Sequence, residues 1–245
     1  MSTSPALRVA HLYPEHLNIY ADRGNIAALE RRCAWREIGF AVTGVGIGDG
    51  LPDADLYYVG GGQDRDQALI AGDLVRHAGP LAEMVAGGAG VLAVCGGYQL
   101  LGHSYLGHQG AELPGLGLVD LVTRAGTTRM IGNIVLDCDL EGTGARRVVG
   151  FENHAGRTYL GEGVQPLGHV VHGHGNNGED GGEGVRSGSV IGTYVHGPLL
   201  PKNPWLTDWL ITQALRRGGW GGELEPLEDE LELEAHRVAA AIAAR

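Results

Sequence analysis

Residues Gly90 to Gly102 read GVLAVCGGYQLLG, an apolar run too short for a free-standing helix, followed at once by a cysteine, two glycines and a helix-like segment. A run of that length bounded by glycine fits a strand buried on both faces, as in parallel sheets. Similar strand-like runs precede it: LRVAHLYP near the start, FAVTGV from Phe40, and DLYYVGGG ending at Gly62. Between them lie two helix-like stretches. One runs from Asn25 to Ile38, where Ile26, Leu29, Cys33 and Ile38 recur near helical spacing; the other runs from Arg65 to Met84. Strands alternating with helices predict a doubly wound, mostly parallel α/β sheet.

Beyond Gly102 the pattern changes to shorter extended pieces, GLVDLV, MIGNIVLDC and RRVVGFENH, and then to the glycine-rich HGHGNNGEDGGEGVRSG. Such composition favours hairpins and loops and predicts an antiparallel extension of the sheet. SVIGTYVHG is the last strand-like run and TDWLITQALRR a closing helix. The end, GELEPLEDELELEAHRVAAAIAAR, turns acidic and then alanine-rich. The expected division is one domain over 1–215 and a helical tail over 216–245. The chain holds 43 glycines, mostly at strand ends where tight turns require them. The cluster GVGIGDG from Gly44 to Gly50 does not fit a dinucleotide loop, because Leu51-Pro52 follows where a helix N-terminus would have to receive the phosphate.

A net charge of −11 without a basic stripe argues against a nucleic-acid partner. No segment has the length and apolarity of a membrane span or the pattern of a signal peptide, so a soluble, cytoplasmic protein is expected. Lys202 is the only lysine and lies in no phosphate-cradling glycine loop, so no Walker A site is expected. Cys33, Cys95 and Cys138 lack the spacing of a zinc site or a redox pair and are read as reduced thiols. No metal site is expected; His169, His172 and His174 cluster without a suitably spaced carboxylate or cysteine and are read as part of a hairpin.

Cys95 sits at a nucleophile elbow. A strand-to-helix turn lifts the side chain above the sheet, glycines allow the backbone to make the turn, and the helix amides favour thiolate. The alternative is a small buried core residue. A nucleophilic cysteine needs a base, and among the 11 histidines His196 has the best context: it closes the run Val190 to Val195 and is followed by Gly197-Pro198. Side chains at the carboxyl ends of such strands lie where ligands of open α/β sheets bind. His154 is read as structural or as lining the site.

With these residues in place, the chain resembles the class I glutamine amidotransferases of the cobyric acid synthase branch over roughly residues 8–212. The resemblance rests on Val94-Cys95-Gly96-Gly97-Tyr98-Gln99, Gly60-Gly61-Gly62-Gln63-Asp64 and Gly192-Thr193-Tyr194-Val195-His196-Gly197, with further likeness in Asn18 to Asn25 and Gly150 to Thr158. Within the branch it is most similar to the GatD family, on Gly175-Asn176-Asn177-Gly178-Glu179-Asp180 and Arg129-Met130-Ile131-Gly132-Asn133. The resemblance implies a glutaminase in which Cys95 attacks glutamine, His196 is the base, Arg129 holds the substrate α-carboxylate, and the amides of Gly96 and Gly62 form the oxyanion hole. It also implies a heterodimer with a MurT-like Mur ligase subunit that carries ATP and Mg and amidates the D-glutamate α-carboxyl of lipid II, with no cofactor in this chain. Another acceptor, such as a cobyrinate-type tetrapyrrole, or a non-catalytic binding role on the same fold remain alternatives. Two positions depart from the wider class: Ala93 stands two residues before the cysteine, and Pro198 stands where many members place the third, acidic member of the triad. Glu152 is a candidate orienting carboxylate, or a structural one.

Overall fold

The computed structural model describes residues 5–19, 23–107 and 110–243. Its first layer is a six-stranded sheet in the order β11-β12-β4-β3-β1-β2. β1 (Ala6–Leu12), β2 (Gly39–Val45), β3 (Leu56–Val59), β4 (Gly90–Val94) and β12 (Val190–Thr193) are parallel, and β11 (Val185–Ser187) adds antiparallel at one edge. Every residue of β3, β4 and β12 is buried, which is why these runs are apolar throughout. The intervening helices are α1 (Arg23–Ala34), α2 (Asp64–Arg76), α3 (Ala78–Ala86) and the short α4 (Gly96–Gln99), followed late in the chain by α5 (Leu199–Lys202) and α6 (Pro204–Arg217).

The stretch from Arg65 to Met84, expected as one helix, is two. It breaks at His77, and Pro80 supplies the reason: it has no N–H for the carbonyl four residues back, that of Arg76, and its ring crowds that carbonyl.

The strands expected as an antiparallel extension form a second sheet of their own. Six strands make this sheet: β5 (Ser104–Leu106), β6 (Glu112–Pro114), β7 (Leu121–Leu140), β8 (Gly144–Leu160), β9 (Gly168–His172) and β10 (Gly182–Glu183). It is antiparallel except where β5 pairs with β7 in parallel. The pieces that read as separate short strands are joined into the long hairpin β7–β8. Its ladder is interrupted between two paired registers, Ala125 with Gly156 and Met130 with His154, so that Gly126, Thr127, Thr128 and Arg129 face Ala155 alone. The two sheets are bridged where Phe151 of β8 exchanges backbone hydrogen bonds with His196, each 3.0 Å.

The C-terminal segment docks on this assembly. α7 (Glu230–Ala243) lays Ala239, Ala240 and Ala243 against Val135 and Val149 of the second sheet. Just before it, Asp229 meets Arg32 of α1 at 2.7 Å, and the same buried guanidinium holds Asp208 of α6 at 2.6 Å. Among the described residues no helix is long and apolar enough to cross a membrane.

Candidate active site

Cys95 follows β4 directly and caps α4 in a conformation, φ 50° and ψ −107°, that L-residues seldom adopt. Such strain persists only where the surroundings enforce it. Here the crowding is severe: a Cβ on Gly96 would lie 2.7 Å from the Gly62 nitrogen, and one on Gly97 would lie 2.5 Å from the Val59 carbonyl oxygen. The loop after β3 and the elbow after β4 therefore touch backbone to backbone. This brings the two expected oxyanion-hole residues, Gly62 and Gly96, together beside the thiol. Cys95 is 6% exposed and opens onto a cleft of about 650 Å³.

The parallel register places His196 next to this elbow. Thr193 pairs with Val94, the Cys95 N–H donates to the Thr193 carbonyl at 2.8 Å, and the chain then runs through Tyr194 and Val195 to His196. His196 is buried, does not line the cleft, and is flanked edge-on by Phe151. Burial pushes its imidazole down to about 4, and the nearby His154, Lys202 and Arg129 push the same way against Glu152. At neutral pH the ring is uncharged and able to accept a proton.

The cleft wall that faces Cys95 comes from the second sheet. Gly126 to Arg129, the residues that leave the β7–β8 ladder, line it together with Asn153, His154, Ala155 and Gly156. Irregularities of this kind re-aim side chains beside functional clefts. Arg129 makes no salt bridge among the described residues: its Nε and Nη2 donate to the Asn153 side-chain oxygen at 2.9 and 2.6 Å, and Nη2 also donates to the Asn153 carbonyl at 3.0 Å. These bonds tie the guanidinium to Asn153 at the cleft that both residues line.

Of the polar groups packed around the site, Gln67 carried no sequence signal, whereas His154, Glu152, Tyr194 and Gln99 stand in segments singled out from the sequence. His154 lies flat on Tyr194, with ring centroids 3.5 Å apart and planes 5° apart, and its Nδ1 faces the Gly156 carbonyl at 2.8 Å. The Tyr194 hydroxyl meets Thr158 at 2.7 Å and accepts from the Gln99 amide at 3.3 Å, while the Gln67 amide donates to Gln99 at 2.9 Å and to the Gly96 carbonyl at 2.9 Å. This buried chain of polar groups ties α2, the elbow and both sheets together, and such networks hold one arrangement because leaving any member unpaired is costly. Glu152 is fully buried; it accepts from the His174 and Gly175 amides at 2.6 and 3.0 Å and lies 3.5 Å from His154 Nε2. Its hydrogen bonds thus go to the glycine hairpin. That hairpin is held from within by Asn176, which accepts from the Tyr98 hydroxyl at 2.9 Å and pairs with Gly184. Of the motif Asn18 to Asn25, residues 20–22 lie outside the described residues; Ile19 lines the cleft, and Asn25 is buried between the Tyr58 hydroxyl and the Leu200 amide.

The CobB/CobQ-like glutamine amidotransferase domain matches residues 8–204. The chain belongs to that family. Among its relatives, subunit GatD of the lipid II isoglutaminyl synthase (glutamine-hydrolyzing) of Staphylococcus aureus is 42% identical over 95% of this chain and 94% of its own length. The corresponding Streptococcus pneumoniae subunit is 39% identical over 93% of this chain and 88% of its own length. A cobyric acid synthase of Pelotomaculum thermopropionicum is 32% identical over 87% of this chain but only 41% of that protein. Among solved structures, PurLQS from Thermotoga maritima aligns with a TM-score of 0.58 at 20% identity, covering 88% of this chain and 97% of that one. A Trypanosoma brucei glutaminase domain aligns at 0.53 with 12% identity, covering 86% and 94%. At those identities the structures share the amidotransferase fold, with its mostly parallel sheet.

Proposed function

We propose that this chain is the glutaminase subunit of a lipid II isoglutaminyl synthase, cytoplasmic and paired with a Mur-ligase-like subunit. The observation that carries the glutaminase reading is the strained, buried Cys95 at the floor of a cleft whose opposite wall bears Arg129. The acceptor is inferred from the likeness to the two GatD subunits over nearly their whole length.

In this reading Arg129 holds the α-carboxylate of glutamine in a charge-assisted fork. Cys95 loses its proton to neutral His196, and the thiolate attacks the side-chain carbonyl carbon. The amides of Gly96 and Gly62 receive the developing oxyanion, where one donor is worth roughly 3 kcal/mol. The tetrahedral intermediate expels ammonia with the proton returned by His196, leaving a γ-glutamyl thioester, which water cleaves to glutamate and free thiol. The ammonia passes to the partner, where ATP with its Mg ion would activate the D-glutamate α-carboxyl of lipid II.

The test is reconstitution of the chain with its ligase. Glutamine-dependent amidation of lipid II that disappears in Cys95→Ser, while added ammonium still supports it, is the expected result. Ammonia release by a folded Cys95→Ser chain at the wild-type rate sinks the glutaminase reading. Glutaminase activity without any lipid II amidation sinks the choice of acceptor.

A further inference from the structure

The charged side chains on the cleft wall are unevenly divided. Arg65 and Arg129 line it, and among the described residues Asp64 is the one carboxylate that does. Asp64 is the first residue of α2, and a helix start alone favours an acidic residue there. Its surroundings go beyond that. Tyr105, 2% exposed, reaches across from β5 of the second sheet, and its hydroxyl donates to Asp64 Oδ2 at 3.4 Å. Burial first, then Asp64, pushes this phenol up to about 12, with Arg129 acting against the shift and Cys95 with it. One buried hydroxyl therefore lies within electrostatic reach of the carboxylate, the guanidinium and the thiol.

We propose that Asp64 is a specificity-determining residue that takes the α-ammonium of glutamine while Arg129 takes the α-carboxylate. This rests on the glutaminase reading above and names what the same cleft selects. An arginine alone accepts any carboxylate, so it cannot separate glutamine from the same chain lacking its amino group. An ammonium brought into a cleft that carries Arg65 and Arg129 needs an anion to offset its lost hydration and the repulsion. The layout fits an amino acid held by its charged end: Asp64 and Arg129 are exposed in the cleft, and Cys95, which the amide would meet, is buried in it. Tyr105 fixes the carboxylate from behind. A glutamine whose amino group is acylated, as within a peptide, would be refused.

The test measures alkylation of Cys95 in the chain purified with its ligase subunit. The probes are the diazoketone analogue of glutamine and the same diazoketone without the α-amino group; iodoacetamide reports thiol reactivity independent of recognition. Wild type is expected to react with the amino compound at least roughly tenfold faster than with its deamino counterpart, the scale of a lost charge-assisted hydrogen bond. Asp64→Asn should lose that preference with its iodoacetamide rate unchanged, and Asp64→Glu should recover part of it. Asparagine suits a helix start, so the variant is expected to fold; thermal melting checks this. A preference retained in Asp64→Asn, or absent in wild type, overturns the proposal. Wild-type Cys95 that reacts with iodoacetamide but with neither diazoketone overturns the glutaminase reading, and this proposal with it.

Discussion

Cys95 and Arg129 face the same cleft but are held there by opposite means. Around Cys95 the backbone has no slack: Gly96 and Gly97 pass so close to Gly62, Gly60 and Val59 that no side chain fits, and the residue is locked at a positive φ. Around Arg129 the ladder has come apart, and the side chain is aimed by hydrogen bonds to Asn153 at the surface. Gly132, three residues on in the same strand, has nothing within 4 Å of where a Cβ would sit. Cys95 is thus fixed by crowding in the parallel sheet, and Arg129 by an open irregularity in the mostly antiparallel one, which suits the roles of nucleophile and substrate contact proposed for them. A thiol must meet one carbon atom, whereas a guanidinium can follow a carboxylate.

The sharpest way to break this comparison is at the thiols. Cys95→Ser is expected to lower glutamine hydrolysis by a factor of about 10³ or more, because a hydroxyl there is a far weaker nucleophile. Cys138→Ser should leave hydrolysis unchanged. That thiol lies in the second sheet, is pushed up to about 12 by burial, and bonds the Leu167 carbonyl at 3.1 Å, a contact serine can keep. Steady-state ammonia release measures both. His196→Ala should fall nearly as far as Cys95→Ser, and the double variant no further, since the pair acts as a unit. If His154→Ala is the crippling change and His196→Ala is mild, the base is misassigned.

Arg129→Ala comes next. Loss of the fork should raise the KM for glutamine by roughly ten- to a hundredfold, with a smaller change in kcat. Ammonium-driven amidation by the complex should be unaffected, and its loss would instead place Arg129 in folding or in the interface.

Stability then separates the two backbones directly. Gly97→Ala is expected to cost about 2 kcal/mol or more through overpacking against Val59 and Gly60. Gly132→Ala should stay within about 0.5 kcal/mol. Urea midpoints measure both, and equal costs would remove the distinction between a crowded and an open wall.

The smallest effect is on pH dependence. The histidines His11 and His196 are pushed from 6.5 down to about 4, chiefly by burial. Below 6.5 the unfolded chain takes up protons the native one refuses, so this contribution to stability is lost as pH falls from 6.5 through 4. Glu183 behaves oppositely. Burial raises it from 4.5 to about 8, against the Tyr194 amide and the Thr193 hydroxyl, so its contribution is full below 4.5 and lost as pH rises through 8. Glu183→Gln should therefore remove the decline between those limits in a denaturation series, and an unaltered slope would show that Glu183 is ionised in the native state.

Much of this molecule follows from stretches short enough to read along the chain. Apolar runs bounded by glycine specify β3, β4 and β12, because a strand covered on both faces admits little else. The elbow follows from Cys95 and its two glycines, whereas the break at His77 was missed in a stretch read as one helix, although its cause, the missing donor of Pro80, acts only four residues away. The neighbourhood of Cys95 and His196 follows once parallel order is assumed, since both stand at the carboxyl ends of paired strands. Other features have no local cause. That four residues of β7 face one of β8, that the later strands form a sheet of their own, and that Tyr105 of β5 meets Asp64 at the start of α2 are decided by pairings between segments far apart in the chain. Turn and strand preferences act over a few residues and allow several registers; the choice among them is made by which arrangement buries the apolar faces and satisfies groups such as Glu152 and Tyr194, and that exists only when the whole chain has folded.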